Sequence, residues 1–173
     1  TKLYDDQTKM PPANLTEVGK VDWVHWGTKA QQPDGRKRSG SAISKVDPGA
    51  FDWDNILRGA RWFHFTGITP ALSDTAAAAT GDAAKAAKRL GLTVSCDLNF
   101  RSKLWSKAKA RETMTPLMRL VDVLLANEED CDSVFGISAE GTRVGSGEID
   151  HARYSEVAAR MQEQFGIQSI AIT

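Results

Sequence analysis

The sequence lacks several features that would by themselves define a class of protein. It has only two cysteines, Cys96 and Cys131, which are far apart and without metal-ligand spacing, and this argues against a disulfide framework or a zinc site. No apolar run approaches the roughly 18 residues that a membrane span requires. The first residues also lack the basic-then-apolar pattern of a signal peptide. The resulting expectation is a reduced, cytoplasmic protein.

An excess of charge of one sign is also lacking. Lys plus Arg and Asp plus Glu both number 22 in 173 residues, so the formal net charge is zero. This balance gives no electrostatic argument for binding nucleic acid or an anionic membrane. We therefore expect neither partner, and self-association into a homo-oligomer is left open. The length is enough for the core of one domain.

What the sequence does contain, from about Trp62 onward, is an alternation of short apolar runs with longer helical patterns. Strands are predicted at 62–67, 93–98, 121–126 and 169–173, and helices at 75–90, 106–120, 127–135 and 151–165. This order predicts an α/β fold, a Rossmann-like doubly wound parallel sheet covered by helices. Within the third strand, Val123, Leu124 and Leu125 are predicted to form a continuous buried run.

Residues 1–38 have a different character. They are polar, contain three prolines and show no sustained helical period. The segment Asp22–Gly27 is a short aromatic, β-like island whose tryptophans are predicted to be core residues or an exposed partner surface. We interpret 1–38 as an irregular or lid-like extension and 39–173 as the α/β domain.

One strand end carries an acid, an amide and an arginine at alternating positions, Asp97, Asn99 and Arg101. Ligands bind at the carboxyl ends of strands in open α/β sheets. In extended geometry the three side chains would face one side. The arginine would offer a planar fork for a carboxylate or phosphate. On spacing alone, a ligand site and a solvated strand end are equally good interpretations.

Other polar clusters carry weaker signals. Asn127–Asp130 is explained by an N-cap and first-turn acids that complement a helix dipole, and the residues alone favour that interpretation. The glycine-bearing segment Gly141–Gly147 lacks the Gly-Lys-Ser/Thr ending of a phosphate loop and is predicted to be a surface connection. The histidines, His25, His64 and His151, are isolated, and none is assigned a catalytic role.

Taken together and in order, four segments resemble the ribokinase-like (PfkB) family of carbohydrate kinases. They are Arg38–Ser44, Phe63–Ser73, Asp97–Trp105 and Leu125–Gly136. The resemblance covers about residues 38–173, a partial domain, and within the family it is closest to 2-dehydro-3-deoxygluconate kinases. It implies ATP-dependent, Mg2+-assisted phosphorylation of a hydroxyl group of a small sugar acid, with 2-dehydro-3-deoxygluconate as the expected substrate.

The resemblance also implies roles for individual residues. Substrate contacts would come from Arg38, Asp97, Asn99 and Arg101; nucleotide contacts from Asn127 and Thr173; and metal contacts from Glu129 and Asp130. Asn127 matches the first position of the family's Asn-x-x-Glu element. Asp130 stands where the family has Glu, so its carboxylate reaches one methylene less far.

Two departures from the family pattern limit these expectations. The Gly-Ala-Gly-Asp element, which supplies the family's catalytic Asp base and its anion hole, does not occur in the sequence. The family's N-terminal sugar-binding Gly and Asn motifs are not recognisable in 1–38 either. No catalytic residue is therefore assigned, the domain is expected to be incomplete, and the chain alone is expected to be inactive. The alternatives are a non-catalytic, truncated binding or interaction module and an unrelated Rossmann-like ligand-binding protein.

Overall fold

The computed structural model describes residues 23–26, 41–139 and 151–173, with the backbone alone described for 23–26 and for 151. The strands are β1 (Trp23–Trp26), β2 (Trp62–Thr66), β3 (Thr93–Asp97), β4 (Val123–Ala126) and β5 (Ser169–Ile172). The helices are α1 (Trp53–Ile56), α2 (Asp74–Arg89), α3 (Lys107–Met118), α4 (Glu128–Phe135) and α5 (His151–Phe165). Short 3-10 turns at Ala42–Lys45 and Pro48–Ala50 precede α1.

The strands form one five-stranded sheet in the order β1-β2-β3-β4-β5. Every neighbouring pair is parallel. The predicted α/β class and Rossmann-like parallel sheet are confirmed. β1 lies within the segment 1–38 and pairs with β2, so at least this part of the segment belongs to the sheet. The remainder of 1–38, including Arg38, and the segment Gly141–Gly147 lie outside the described residues.

The helix boundaries follow from capping residues that are visible in the sequence. The Ser73 hydroxyl accepts the backbone N–H of Ala76 at 3.1 Å and begins α2, whose buried face is made largely of alanine. Ser106 caps α3 in the same way through the N–H of Lys109 at 3.2 Å. α4 ends at Gly136, which adopts the left-handed φ of 70°. These bounds lie within about two residues of the predicted ones.

The strands have one well-covered face. Phe63, Val94 and Leu124 are fully buried and belong to one apolar core with the inner faces of the helices. Since side chains alternate between faces along a strand, Leu125 points the opposite way from Leu124. Leu125 is 41% exposed, so the prediction of a continuous buried run was wrong at that position. Among the described helices, none is both long and apolar enough to cross a membrane.

Candidate functional site

The carboxyl ends of β2 and β3 meet in direct contact. Thr66 pairs with Asp97 at the last step of the ladder, and the next residue, Gly67, donates its N–H to the Asp97 carbonyl at 2.8 Å. A Cβ atom on Gly67 would overlap the carbonyl oxygen of Leu98 and lie 3.1 Å from its carbonyl carbon. Only glycine fits here, because the two strand ends approach each other through their backbones.

Beyond Asp97 the chain turns rather than continuing as a strand. Asn99 has a φ of 41°, in the left-handed region that asparagine tolerates better than most residues. Its amide Nδ2 donates to the Thr66 hydroxyl over a long 3.4 Å. The extended geometry assumed for Asp97, Asn99 and Arg101 was therefore wrong, because the backbone leaves the extended conformation at Asn99.

The turn nevertheless holds its residues through the backbone of one residue, Phe100. The N–H of Phe100 donates to Oδ2 of Asp130 at 3.1 Å, and the carbonyl of Phe100 accepts from Nη1 of Arg101 at 3.1 Å. Phe100 and Asp130 are buried, whereas Arg101 is exposed. A buried acid of α4 thus fixes the backbone that carries an exposed guanidinium.

The charges of this turn influence one another. Burial raises the pKa of Asp97, and the nearby Arg101 guanidinium partly opposes this rise. Burial also raises the pKa of Asp130, which the Phe100 N–H and Arg101 counteract. Asp97 and Asp130 therefore share the field of one cation. The structure brings together three of the predicted site residues, Asp97, Arg101 and Asp130, and keeps Asn99 beside them.

The N-terminus of α4 lies at the neighbouring strand end. Asn127 caps the helix, its Oδ1 accepting the Asp130 N–H at 2.6 Å. Thr173 follows β5 and donates its N–H to the Ala126 carbonyl at 3.0 Å, which brings it close to Asn127. The two residues predicted to contact nucleotide therefore adjoin each other across the β4–β5 pair.

Two other acids of α4 have different surroundings. Glu128 is bound at 2.7 Å by Arg153 of α5, an ion pair that sequence reasoning missed because its two residues are far apart in the chain. Glu129 is exposed.

Magnesium fits this helix terminus only as an ion bound largely by water and ligand oxygens. Nowhere in the described ranges do three His, Cys, Asp or Glu side chains group as a metal cage would require. The buried Asp130 is engaged by Phe100 through Oδ2, which leaves Glu129 as the open carboxylate of the predicted pair. Because Mg2+ keeps several waters and takes few protein carboxylates, one open acid is compatible with it.

Burial also describes other side chains of the segments named in the sequence. Trp105, in the loop after β3, is buried in the core with 9% exposure. His64 is half-buried in β2, where its Nδ1 lies 2.7 Å from Ser95 Oγ. Cys96 and Cys131 are free thiols and are both buried. The side chains of His25 and His151 lie outside the described residues.

The parallel sheet places the chain in the Rossmann-like class of α/β proteins, whose members bind ligands at the carboxyl edge of the sheet, where these polar side chains lie. Comparisons with known proteins narrow this class. The chain is 38% identical over 109 residues to a 2-dehydro-3-deoxygalactonokinase of Haloferax volcanii, covering 63% of the chain and 34% of the relative. It is 33% identical over 135 residues to a 2-dehydro-3-deoxygluconokinase of Thermoproteus tenax, covering 77% of the chain and 35% of the relative.

A solved structure agrees with these sequence matches. The crystal structure of 2-dehydro-3-deoxygluconokinase from Thermotoga maritima superposes with a TM-score of 0.69 at 45% identity, covering 76% of this chain and 38% of that one. No family model matches the sequence. The chain is thus similar to the ribokinase-like (PfkB) carbohydrate kinases, and the resemblance predicted from its motifs is confirmed. It spans about a third of the length of the curated relatives it matches.

Proposed function

We propose that the described residues form part of a sugar-kinase active site that binds a 2-dehydro-3-deoxy sugar acid, with 2-dehydro-3-deoxygluconate as the expected substrate. The observation that carries the proposal is Arg101, an exposed guanidinium attached to a turn whose backbone is held by a buried acid. Relatives of the chain are named for sugar acids of this type. A substrate with a carboxylate requires a cationic partner of this kind.

On the sugar side, Arg101 would bind the substrate carboxylate. A guanidinium can donate two parallel hydrogen bonds to a carboxylate, which fixes orientation as well as charge. Asp97 and Asn99 lie on the same turn and would contact hydroxyl groups, the first as an acceptor and the second as both donor and acceptor. Arg38 is proposed as a further substrate contact from the resemblance alone.

On the nucleotide side, the N-terminus of α4 supports the use of Mg2+ with ATP. A helix N-terminus attracts phosphate, but the first turn of α4 carries Glu128, Glu129 and Asp130, which repel it. A divalent cation between the acids and the phosphates would remove this conflict. Glu129 would hold the ion through its water shell, with Asn127 and Thr173 beside the nucleotide. When bound, Mg–ATP would supply the phosphoryl group, while the protein orients the sugar.

The catalytic base of the reaction is not assigned to a residue of this chain. The metal role of Asp130 and the inactivity of the chain alone stay predictions, as do a homo-oligomer and a cytoplasmic location. In the alternative of a non-catalytic binding module, the site at Arg101 would still bind a ligand, but the protein would not bind nucleotide. The named relatives favour the kinase over an unrelated Rossmann-like protein.

Calorimetric titration with 2-dehydro-3-deoxygluconate tests the sugar side. Arg101→Gln should weaken binding about 10- to 100-fold, because a hydrogen-bonded charge pair contributes about 1.5–3 kcal/mol. Lys103→Gln is the matched control, since Lys103 is an exposed cation of the same turn and its loss removes the same net charge. It should leave affinity within about twofold if exposed charges beyond contact distance are screened.

Two results would contradict the proposal. Equal losses in the Arg101 and Lys103 variants would show a general effect of charge rather than a contact. Absence of binding by the unmodified protein, in a sample shown to be folded by its NMR spectrum, would reject the sugar-acid site. Parallel titration with 2-dehydro-3-deoxygalactonate decides between the two substrates after which the relatives are named.

A further inference from the structure

The position of Asp130 does not suit a simple metal ligand. Its side chain is 8% exposed, whereas its neighbour Glu129 is open to solvent. Oδ2 of Asp130 points to the turn after β3 and accepts the Phe100 N–H at 3.1 Å. The backbone N–H of Asp130 is in turn fixed by the Asn127 cap at 2.6 Å. The Asn127 cap therefore holds the backbone of Asp130, and the Asp130 side chain holds the turn after β3.

The turn that it holds needs support. Asn99, directly before Phe100, has a left-handed φ of 41°, a conformation that costs free energy for a residue with a side chain. The side-chain bond of Asn99 to Thr66 is long, at 3.4 Å. The shorter bond from Phe100 to Asp130 is thus the better anchor for the backbone next to Asn99.

Arg101 depends on the same residue. Its Nη1 donates to the Phe100 carbonyl at 3.1 Å, and Asp130 binds the N–H at the other end of Phe100. Because the Phe100 side chain is also buried, anchoring its N–H restrains the residue whose carbonyl oxygen accepts from the guanidinium. A continuous series of hydrogen bonds runs from the α4 cap through Asp130 and Phe100 to Arg101.

We infer that Asp130 is a positioning residue, which orients Arg101 for a sugar carboxylate by anchoring the backbone of Phe100 and links the proposed sugar site to the N-terminus of α4. The inference rests on the proposed sugar-acid function. It differs from the metal role that the resemblance implies, because it assigns the Asp130 carboxylate to the protein's own backbone. Glu129 is left as the acid that would serve the metal.

Three variants separate the two roles. Asp130→Ala removes the acceptor for the Phe100 N–H. Asp130→Asn keeps a side-chain oxygen that can accept it but removes the charge. Glu129→Ala is the matched control, since it removes an exposed acid of the same helix turn. Each is titrated with 2-dehydro-3-deoxygluconate, with the methyl ester of that acid, and with MgCl2 alone, and the Phe100 amide is followed by NMR.

The expected result is specific to orientation. Asp130→Ala should lower affinity for the acid about tenfold but change affinity for the ester little, so that the preference for the free carboxylate is lost. Its Phe100 amide should shift and exchange faster with solvent. Asp130→Asn should recover most of the preference, and Glu129→Ala should keep it while weakening the response to MgCl2. General loosening of the fold would lower both sugar affinities alike.

Each contrary outcome has a definite meaning. An unchanged Phe100 amide, or an unchanged acid-to-ester ratio in Asp130→Ala, overturns the positioning role while the proposed function stands. A loss of MgCl2 binding with intact sugar affinity in that variant also overturns it, in favour of a metal ligand. If the alanine variant does not fold, the ratio in Asp130→Asn decides, and a complete loss of preference there overturns the inference. Failure of the unmodified protein to bind the acid rejects the proposed function and the inference together.

Discussion

Replacing Gly67 by alanine tests the direct backbone contact between the ends of β2 and β3. The added Cβ would overlap the Leu98 carbonyl oxygen, while the side chain of Met114, at 3.6 Å, would be in ordinary contact. Since the obstacle is backbone, the turn has to move by about an ångström to restore van der Waals separation. That movement also stretches the 2.8 Å bond from the Gly67 N–H to Asp97.

The magnitude follows from these two effects. Overpacking a tight site costs about 1–3 kcal/mol, and a lost backbone hydrogen bond adds about 1 kcal/mol. We therefore expect Gly67→Ala to lower the free energy of unfolding by about 2–4 kcal/mol, a large share of the stability of an ordinary domain. The sugar acid should also bind more weakly, because the displaced Leu98 carbonyl lies directly before Asn99.

Urea denaturation followed by far-UV circular dichroism measures the change. Gly81→Ala is the matched control, since Gly81 is a buried glycine of α2 whose Cβ would lie at an ordinary 3.6 Å from the Leu117 side chain. Alanine in a helix interior is favoured by about 0.5–1 kcal/mol, so this variant should be more stable than the parent. If Gly67→Ala unfolded within about 0.5 kcal/mol of the parent, the close contact would be wrong.

Three further predictions concern other buried or half-buried groups. Asp122→Ala should cost about 1–3 kcal/mol in the same urea experiment, because its carboxylate accepts the Val94 N–H at 2.9 Å and that donor would lose its partner. Asp97→Asn should raise the melting temperature at pH 7 and flatten its pH dependence. Burial raises the folded pKa of Asp97, so the cost of its charge is present above that pKa and disappears as the pH falls toward 3.8. Cys96 and Cys131 should resist a thiol reagent at pH 8 until the chain unfolds, because burial raises both thiol pKa values, that of Cys131 to about 12.

Each of these has its own control. Asp82→Ala removes an exposed acid whose ion pair with Lys85 spans 3.6 Å, and it should change stability by less than about 0.5 kcal/mol. An Asp122 variant no less stable than this one would contradict the role of its carboxylate. For Asp97, the melting temperatures of the parent and of Asp97→Asn are compared at pH 4 and pH 7. A larger rise with pH in the parent than in the variant would contradict the destabilising effect expected of the Asp97 charge. For the cysteines, fast labelling of a folded sample would contradict their burial.

Much of the fold follows from local signals in the sequence. Ser73, Ser106 and Asn127 cap helices that begin within one residue of the predicted starts, because capping depends on a few neighbouring atoms. Gly136 ends α4 for the same local reason. The exposure of Leu125 could not be found in this way. An apolar run of consecutive residues looks alike whether one or both faces of the sheet are covered, and the covering helices lie elsewhere in the chain.

The candidate site was predictable in composition but not in geometry. The residue types Asp97, Asn99 and Arg101 marked the strand end. The left-handed conformation of Asn99, however, is seen only in the three-dimensional structure. The contact from Phe100 to Asp130 joins positions 30 residues apart, so no local pattern contains it. The family resemblance suggested that Asp130 binds a metal. In the structure its carboxylate is buried, and Oδ2 accepts the Phe100 N–H.

The way in which the turn at Phe100 is held has a consequence for how the ligand preference of such a site could change. The bonds that maintain the turn are made by backbone atoms, by Asp130 and by the Asn99 amide, while the Arg101 side chain adds one contact to its neighbour's carbonyl and is exposed to solvent. Exchanging Arg101 should therefore alter which ligand charge is accepted at little expense in folding. Under the proposed function, selectivity and stability depend on different atoms of adjacent residues, and this position should tolerate substitution during evolution, or in a mutant library, without a compensating change elsewhere.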